Sequence, residues 1–162
     1  MSNFKKIVTI TLIAVVAFFS VFFMYKYSQP TMIADVHKDG ISSTVLVMNF
    51  PVTDKGKINW WNDNKAMLKE KFNIPVEKKD GSYIVFFHDF GKGYKEMPES
   101  VPRLSFETTD LRCFDDMKEK ENCIEKDLIF LIHKSANGLI WYTTFDGYYK
   151  DEGDGKLIEI SR

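Results

Sequence analysis

Residues 5–27 read KKIVTITLIAVVAFFSVFFMYKY, and this stretch decides how the rest of the chain has to fold. Lys5 and Lys6 open it, and Ile7 to Met24 then run for eighteen residues without a charge. Thr9, Thr11 and Ser20 are the only polar side chains in that run. At ~1.5 Å of rise per residue, such a helix covers about 27 Å, close to the thickness of a bilayer's hydrocarbon core. Tyr25, Lys26 and Tyr27 follow, and aromatic rings and snorkelling lysines suit the lipid–water boundary. The pattern predicts one transmembrane helix, with residues 7–24 in the lipid bilayer. Residues 1–27 are then a cytoplasmic tail and signal anchor, and everything after them must fold in water.

A cleaved signal peptide is the rival, with an apolar region of about 7–15 residues ending in a small-x-small site. Ala14 and Ala17 have that spacing, but Phe18, Phe19, Val21, Phe22, Phe23 and Met24 carry the apolar run past them. No small pair follows, and an uncleaved anchor is the expectation. Lys5, Lys6 and the α-amino group lie before the helix, against Lys26 and then nothing basic until Lys38. That bias keeps the N-terminus in the cytoplasm. The expected location is a single-pass protein of a bacterial inner membrane, with its C-terminal domain in the periplasm.

Cysteine usage agrees with an oxidising compartment. Cys113 and Cys123 are the only cysteines, flanking the polar run Phe114 to Asn122, and are expected to pair. No metal is expected, because the two cysteines lack close Cys or His partners.

Working outward, residues 28–31 form a short linker that spans at most about 14 Å. Residues 32–162 suffice for one domain. All three basic residues before Ser28 belong to the anchor, which leaves the outer domain 19 basic against 23 acidic residues. Nucleic acid would call for a basic stripe, so this balance excludes it as a partner. Met32–His37 and Ser43–Phe50 read as a β-hairpin about Lys38-Asp39-Gly40. Thr53 or Asp54 can cap an amphipathic helix to about Phe72, with Ile58, Trp61, Leu68 and Phe72 on one face and Asn73 and Pro75 ending it. Tyr83–Phe90 is an aromatic strand, and Arg103–Thr108 another. Leu128–Lys134 and Leu139–Phe145 pair across a turn ending in Asn137-Gly138. Tyr148–Lys150 and Leu157–Ile160 make a final pairing. The expected fold class is α+β, an antiparallel sheet of five to seven strands with one amphipathic helix.

No catalytic set emerges from the chain. Asp89-Phe90-Gly91 copies a kinase tripeptide in a chain too short for that fold. Gly91-Lys92-Gly93 reads as a turn, with no helix behind it to hold a phosphate. His37, His88 and His133 sit near strand ends without metal-site spacing and are expected to pack at sheet edges. Neither cysteine has a local general base. No enzyme activity and no cofactor are expected. The acids Asp115, Asp116, Glu119 and Glu121 lack the alternate spacing of a calcium loop. Closed by a disulfide, they form a rigid negative feature able to dock a basic partner. Trp60 and Trp61 are adjacent, so one of them, Trp60, is expected either at the surface as a contact residue or partly covered at the helix edge.

The run Asn49-Phe50-Pro51-Val52-Thr53-Asp54-Lys55-Gly56-Lys57-Ile58-Asn59-Trp60-Trp61 resembles a family of inner-membrane proteins of unknown function from enteric bacteria. Gly81-Ser82-Tyr83, Asp89 to Tyr94, Cys113-Phe114-Asp115-Asp116-Met117 and Asn122-Cys123-Ile124 extend the likeness over most of the chain. The resemblance implies a small single-span envelope protein with no assigned activity. An immunity role, in which the domain captures a secreted antibacterial toxin, is an expectation drawn from this class of protein and not from its residues. An accessory or structural envelope protein with no toxin partner is the alternative.

Overall fold

The computed structural model describes residues 3–27, 29–100, 110–153 and 155–160. It divides into two units, residues 1–30 and 31–162. The strand expected at Arg103–Thr108 lies outside the described residues.

The first unit is helix α1, Asn3–Tyr27. Lys6–Tyr25 is long and apolar enough to cross a membrane, and none of that window is buried within the protein. Its polar groups turn back on their own helix, Thr11 Oγ1 donating to Ile7 O at 3.0 Å and Ser20 Oγ to Val16 O at 2.8 Å. Such back-bonding satisfies hydroxyls that lipid could not.

The second unit is an α+β domain. Its elements run β1 (Met32–Asp39), β2 (Ser42–Met48), α2 (Asp54–Phe72), β3 (Tyr83–Asp89), β4 (Leu111–Cys113), β5 (Cys123–Glu125), β6 (Leu128–Lys134), β7 (Ile140–Thr143), β8 (Tyr148–Asp151) and β9 (Leu157–Ile160). Seven strands form one sheet in the order β1-β2-β3-β6-β7-β8-β9, and β4-β5 form a separate two-stranded ribbon. One pairing departs from expectation. β2 and β3 run parallel, because α2 carries the chain back along the sheet between them. The other pairings in the sheet are antiparallel.

Helix α2 starts where Thr53 Oγ1 accepts the Gly56 N–H at 3.1 Å. A Cβ at position 56 would come within 2.8 Å of that hydroxyl, which accounts for glycine in the first turn. The helix ends at Asn73, in the left-handed region with φ 54°, where Asn73 N donates to Lys69 O at 3.0 Å and Ile74 N to Leu68 O at 3.2 Å. Ile58, Trp61 and Leu68 bury the inner face against Val45, Val47, Val85, Phe87, Phe130, Ile132 and Tyr142.

Both tryptophans join this core. Trp61 is buried and Trp60 half-buried, and their rings lie 6.1 and 5.9 Å from Phe87. Trp60 also meets Phe50 at 5.2 Å. Adjacent helix positions are about 100° apart, and a large ring between them can be gripped from both sides. Trp60 is thus the partly covered tryptophan at the helix edge.

The β4-β5 ribbon covers the other face of the sheet. Phe114 and Ile124 pack there on Leu46, with Ala34, Phe90, Tyr94 and Met117 around them. Alternation along β2 explains the division: Val45 and Val47 face α2, whereas Leu46 faces the ribbon.

Candidate functional site

Asp35 and His37 lie two residues apart on β1, opposite Leu46 and Thr44, so both face the ribbon side of the sheet. His37 is buried, and Phe114 stacks on its ring with centroids 3.7 Å apart and planes 11° from parallel. Its Nδ1 is 2.9 Å from Asp116 Oδ1, and its Nε2 is 2.6 Å from the Tyr94 hydroxyl. That hydroxyl donates in turn to Asp35 Oδ2 at 2.8 Å. The result is a chain of four polar side chains, Asp116–His37–Tyr94–Asp35, drawn from three separate stretches of sequence.

The disulfide positions two of the four. Cys113 and Cys123 are paired directly across β4-β5 and bridged. Beyond them Phe114 N donates to Asn122 O at 3.0 Å, and Asn122 Nδ2 returns to Phe114 O at 3.2 Å, which closes the loop carrying Asp116. On the other side Cys123 exchanges backbone hydrogen bonds of 2.8 and 3.0 Å with Lys95, next to Tyr94. Lys95 Nζ also reaches Glu125 Oε1 at 3.1 Å. Gly91-Lys92-Gly93 is the turn expected, closed by Gly93 N to Phe90 O at 2.8 Å, and it delivers Tyr94 to this ladder.

Proton counting describes what this chain of groups can do. Tyrosine has one hydroxyl proton, and burial followed by the hydrogen bond to Asp35 raises the Tyr94 phenol well above its ordinary range. While that proton points at Asp35, His37 fills the contact to Tyr94 as a donor, and it donates to Asp116 as well. A neutral ring keeps both contacts only if the Tyr94 hydroxyl turns from Asp35 to Nε2. Either way both ring nitrogens are engaged and Phe114 covers the ring. The cavity beside them, bounded by Lys38, Asp39, Thr44 and residues 112–116, is about 90 Å³. That is room for a few waters, well below the roughly 300 Å³ at which small-molecule sites begin. The arrangement fastens a loop.

The acids expected as contacts divide accordingly. Asp115, Glu119 and Glu121 are exposed, while Asp116 is half-exposed and held by His37. Lys118 and Lys120 lie among them, and Lys120 Nζ stands 3.9 Å from Glu96. Trp60 is not brought near this loop: it packs on the α2 side of the sheet, and the loop sits on the opposite side. His88 is also buried, its imidazole held below its ordinary pKa by burial and then by the Arg112 cation. His133 is exposed on β6. No group of three or more His, Cys, Asp or Glu suited to a metal occurs among the described residues. Asp35 and Tyr94 were not singled out from sequence. The available signal was Asp35-x-His37 inside a strand, which puts two polar groups on one face that has to be buried.

A family model described as "Enterobacterial putative membrane protein (DUF943)" matches residues 2–161. Neither the curated proteins nor the solved structures contain a match.

Proposed function

We propose, from the premise that this chain belongs to that enterobacterial membrane-protein family, that it is an inner-membrane-anchored binding protein whose domain works in the periplasm. Its contact surface is the disulfide-closed loop, and its partner is a protein with a basic surface. The finer form of this reading is an immunity protein that neutralises a secreted antibacterial toxin at the membrane. One observation carries it: the Cys113–Cys123 bridge joins both ends of the loop and Asp116 within it is held by buried His37, while Asp115, Glu119 and Glu121 stay exposed. A loop ordered before binding loses little freedom on docking, and its charges favour a basic partner. The disulfide and the basic residues Lys5 and Lys6 in the first turns of α1 support the periplasmic side. The engaged histidine and the small cavity beside it support a binding role over an enzymatic one.

The test is competition between siblings. The gene is deleted with its neighbours intact, and the mutant is grown in contact with its parent on a solid surface. Immunity predicts death of the mutant only beside a toxin-secreting parent, and rescue by the wild-type gene. Rescue should fail with Asp115→Lys, Glu119→Lys and Glu121→Lys combined, at unchanged protein level, since these exposed positions carry no packing. Undisturbed growth of the deletion mutant beside its parent would refute immunity and leave the accessory role.

A further inference from the structure

Strand register gathers a set of exposed apolar side chains at one end of the seven-stranded sheet. Met32 opens β1 there, opposite Met48 at the close of β2. β3 ends at the same place, where His88 pairs with Leu128 at the start of β6. Thr143 closes β7 opposite Tyr148, and Tyr148 pairs with Ile160 at the close of β9. Val52 follows β2 in the connection to α2. Met32, Val52, Leu128, Phe145, Tyr148 and Ile160 are all exposed, Phe145 at 84%.

Phe145 is held out by design of the turn. The Thr144 backbone N–H and hydroxyl both donate to Gly147 O, at 3.0 and 3.1 Å, and Gly147 N returns to Thr144 Oγ1 at 2.9 Å. These bonds leave Phe145 and Asp146 at the tip. An open groove of about 500 Å³ lies beside it, between residues 128–130 and 143–146. The other end of the sheet is built of polar turns, with Asp39-Gly40, Lys78 to Gly81, Ser135 to Gly138 and Asp151 to Gly153. Among the described residues, its exposed large apolar side chains are Ile41 and Leu157.

The covalent chain says what lies near the apolar end. Four residues, 28–31, separate Tyr27 from Met32, and four residues reach at most about 14 Å. We propose that this end of the sheet is a lipid-contact surface, with Phe145, Tyr148, Leu128 and Ile160 entering the interface of the bilayer that anchors the chain. The proposal rests on α1 spanning that bilayer. Asp89, Asp127 and Asp146 flank the rim against Lys126, so the attraction comes from apolar burial and not from anionic headgroups.

Nitroxide labels on single added cysteines in the full-length protein, reconstituted in phosphatidylcholine vesicles, test this. Phe145→Cys reports the rim, Asn137→Cys the opposite turn and Val16→Cys the helix. The label at 145 should show an oxygen-to-nickel-chelate accessibility ratio several-fold above that at 137. Added anionic lipid should leave the ratio unchanged, and the label at 16 should lie deepest. Equal aqueous exposure at 145 and 137, with 16 deep, overturns the lipid contact and leaves the spanning helix standing. An aqueous label at 16 overturns both. A label at 145 shielded from oxygen and nickel alike places protein on the rim, and also overturns the proposal.

Discussion

Replacing Cys113 and Cys123 together by alanine removes the one covalent cross-link from the loop that holds Asp116 and the ladder that holds Tyr94. The cysteines are 10 residues apart. For a closed loop of about 11 residues, the chain-entropy estimate is roughly 9 cal/mol/K, or about 3 kcal/mol at room temperature. A domain of about 130 residues has an unfolding entropy near 0.27 kcal/mol/K at its midpoint, so that loss corresponds to a fall in Tm of roughly 10 °C. Cys123 is buried beside Ile124, and trimming its sulfur adds a small packing cost. Thermal unfolding of the purified full-length protein, followed by near-ultraviolet circular dichroism, measures the shift. Reduction of the wild type with dithiothreitol is the control that leaves packing intact, and it should give most of the same fall. A Tm within about 2 °C of wild type in both would refute the reasoning. It would mean that Phe114 on His37 and Ile124 on Leu46 hold the ribbon without the bridge.

Leu68→Ala empties a fully buried site between α2 and the sheet and should cost about 2–5 kcal/mol in a denaturant titration. Thr53→Ala removes the cap of α2 and should cost about 1 kcal/mol by the same assay, with helix content otherwise retained. His88 adds a pH dependence whose sign follows from its lowered folded pKa. The unfolded imidazole, near its ordinary value of 6.5, takes a proton before the folded one does. Its contribution is therefore complete above about pH 6.5 and is lost as pH falls toward the folded value. Tm should fall as pH drops below about 6.5, and His88→Gln should flatten that slope. An unchanged slope would assign the effect to another group.

The local elements were legible because each is written in consecutive residues. The charge-free run of α1, the Thr53 cap and Asn73 stop of α2, and the Asn137-Gly138 turn all act within a few positions of themselves. The parallel pairing of β2 with β3 was not, since it depends on where α2 returns the chain, and no single strand records that. Three-residue strands such as β4 and β5 carry too little alternation to announce a second layer. The contact between His37 and Asp116 spans 79 residues, and only the bridge and the sheet together make them neighbours. How far Trp60 is covered was open for a related reason: helix geometry alone separates it from Trp61, and Phe87 from another element meets both.

The order β1-β2-β3-β6-β7-β8-β9 never doubles back. Every strand of the main sheet lies beside its predecessor in the chain, with the disulfide ribbon set aside as a detour between β3 and β6. A polypeptide delivered from its anchored end can therefore build this sheet in the order of delivery, each arriving strand closing the edge that the last one left open. At no stage does a strand have to be inserted between two already paired, and the longest wait is that of the β3 edge, which stays open until β6 follows the ribbon. For a chain whose first helix is long and apolar enough to cross a membrane, that sequence of additions limits how long an unpaired edge is available to another molecule.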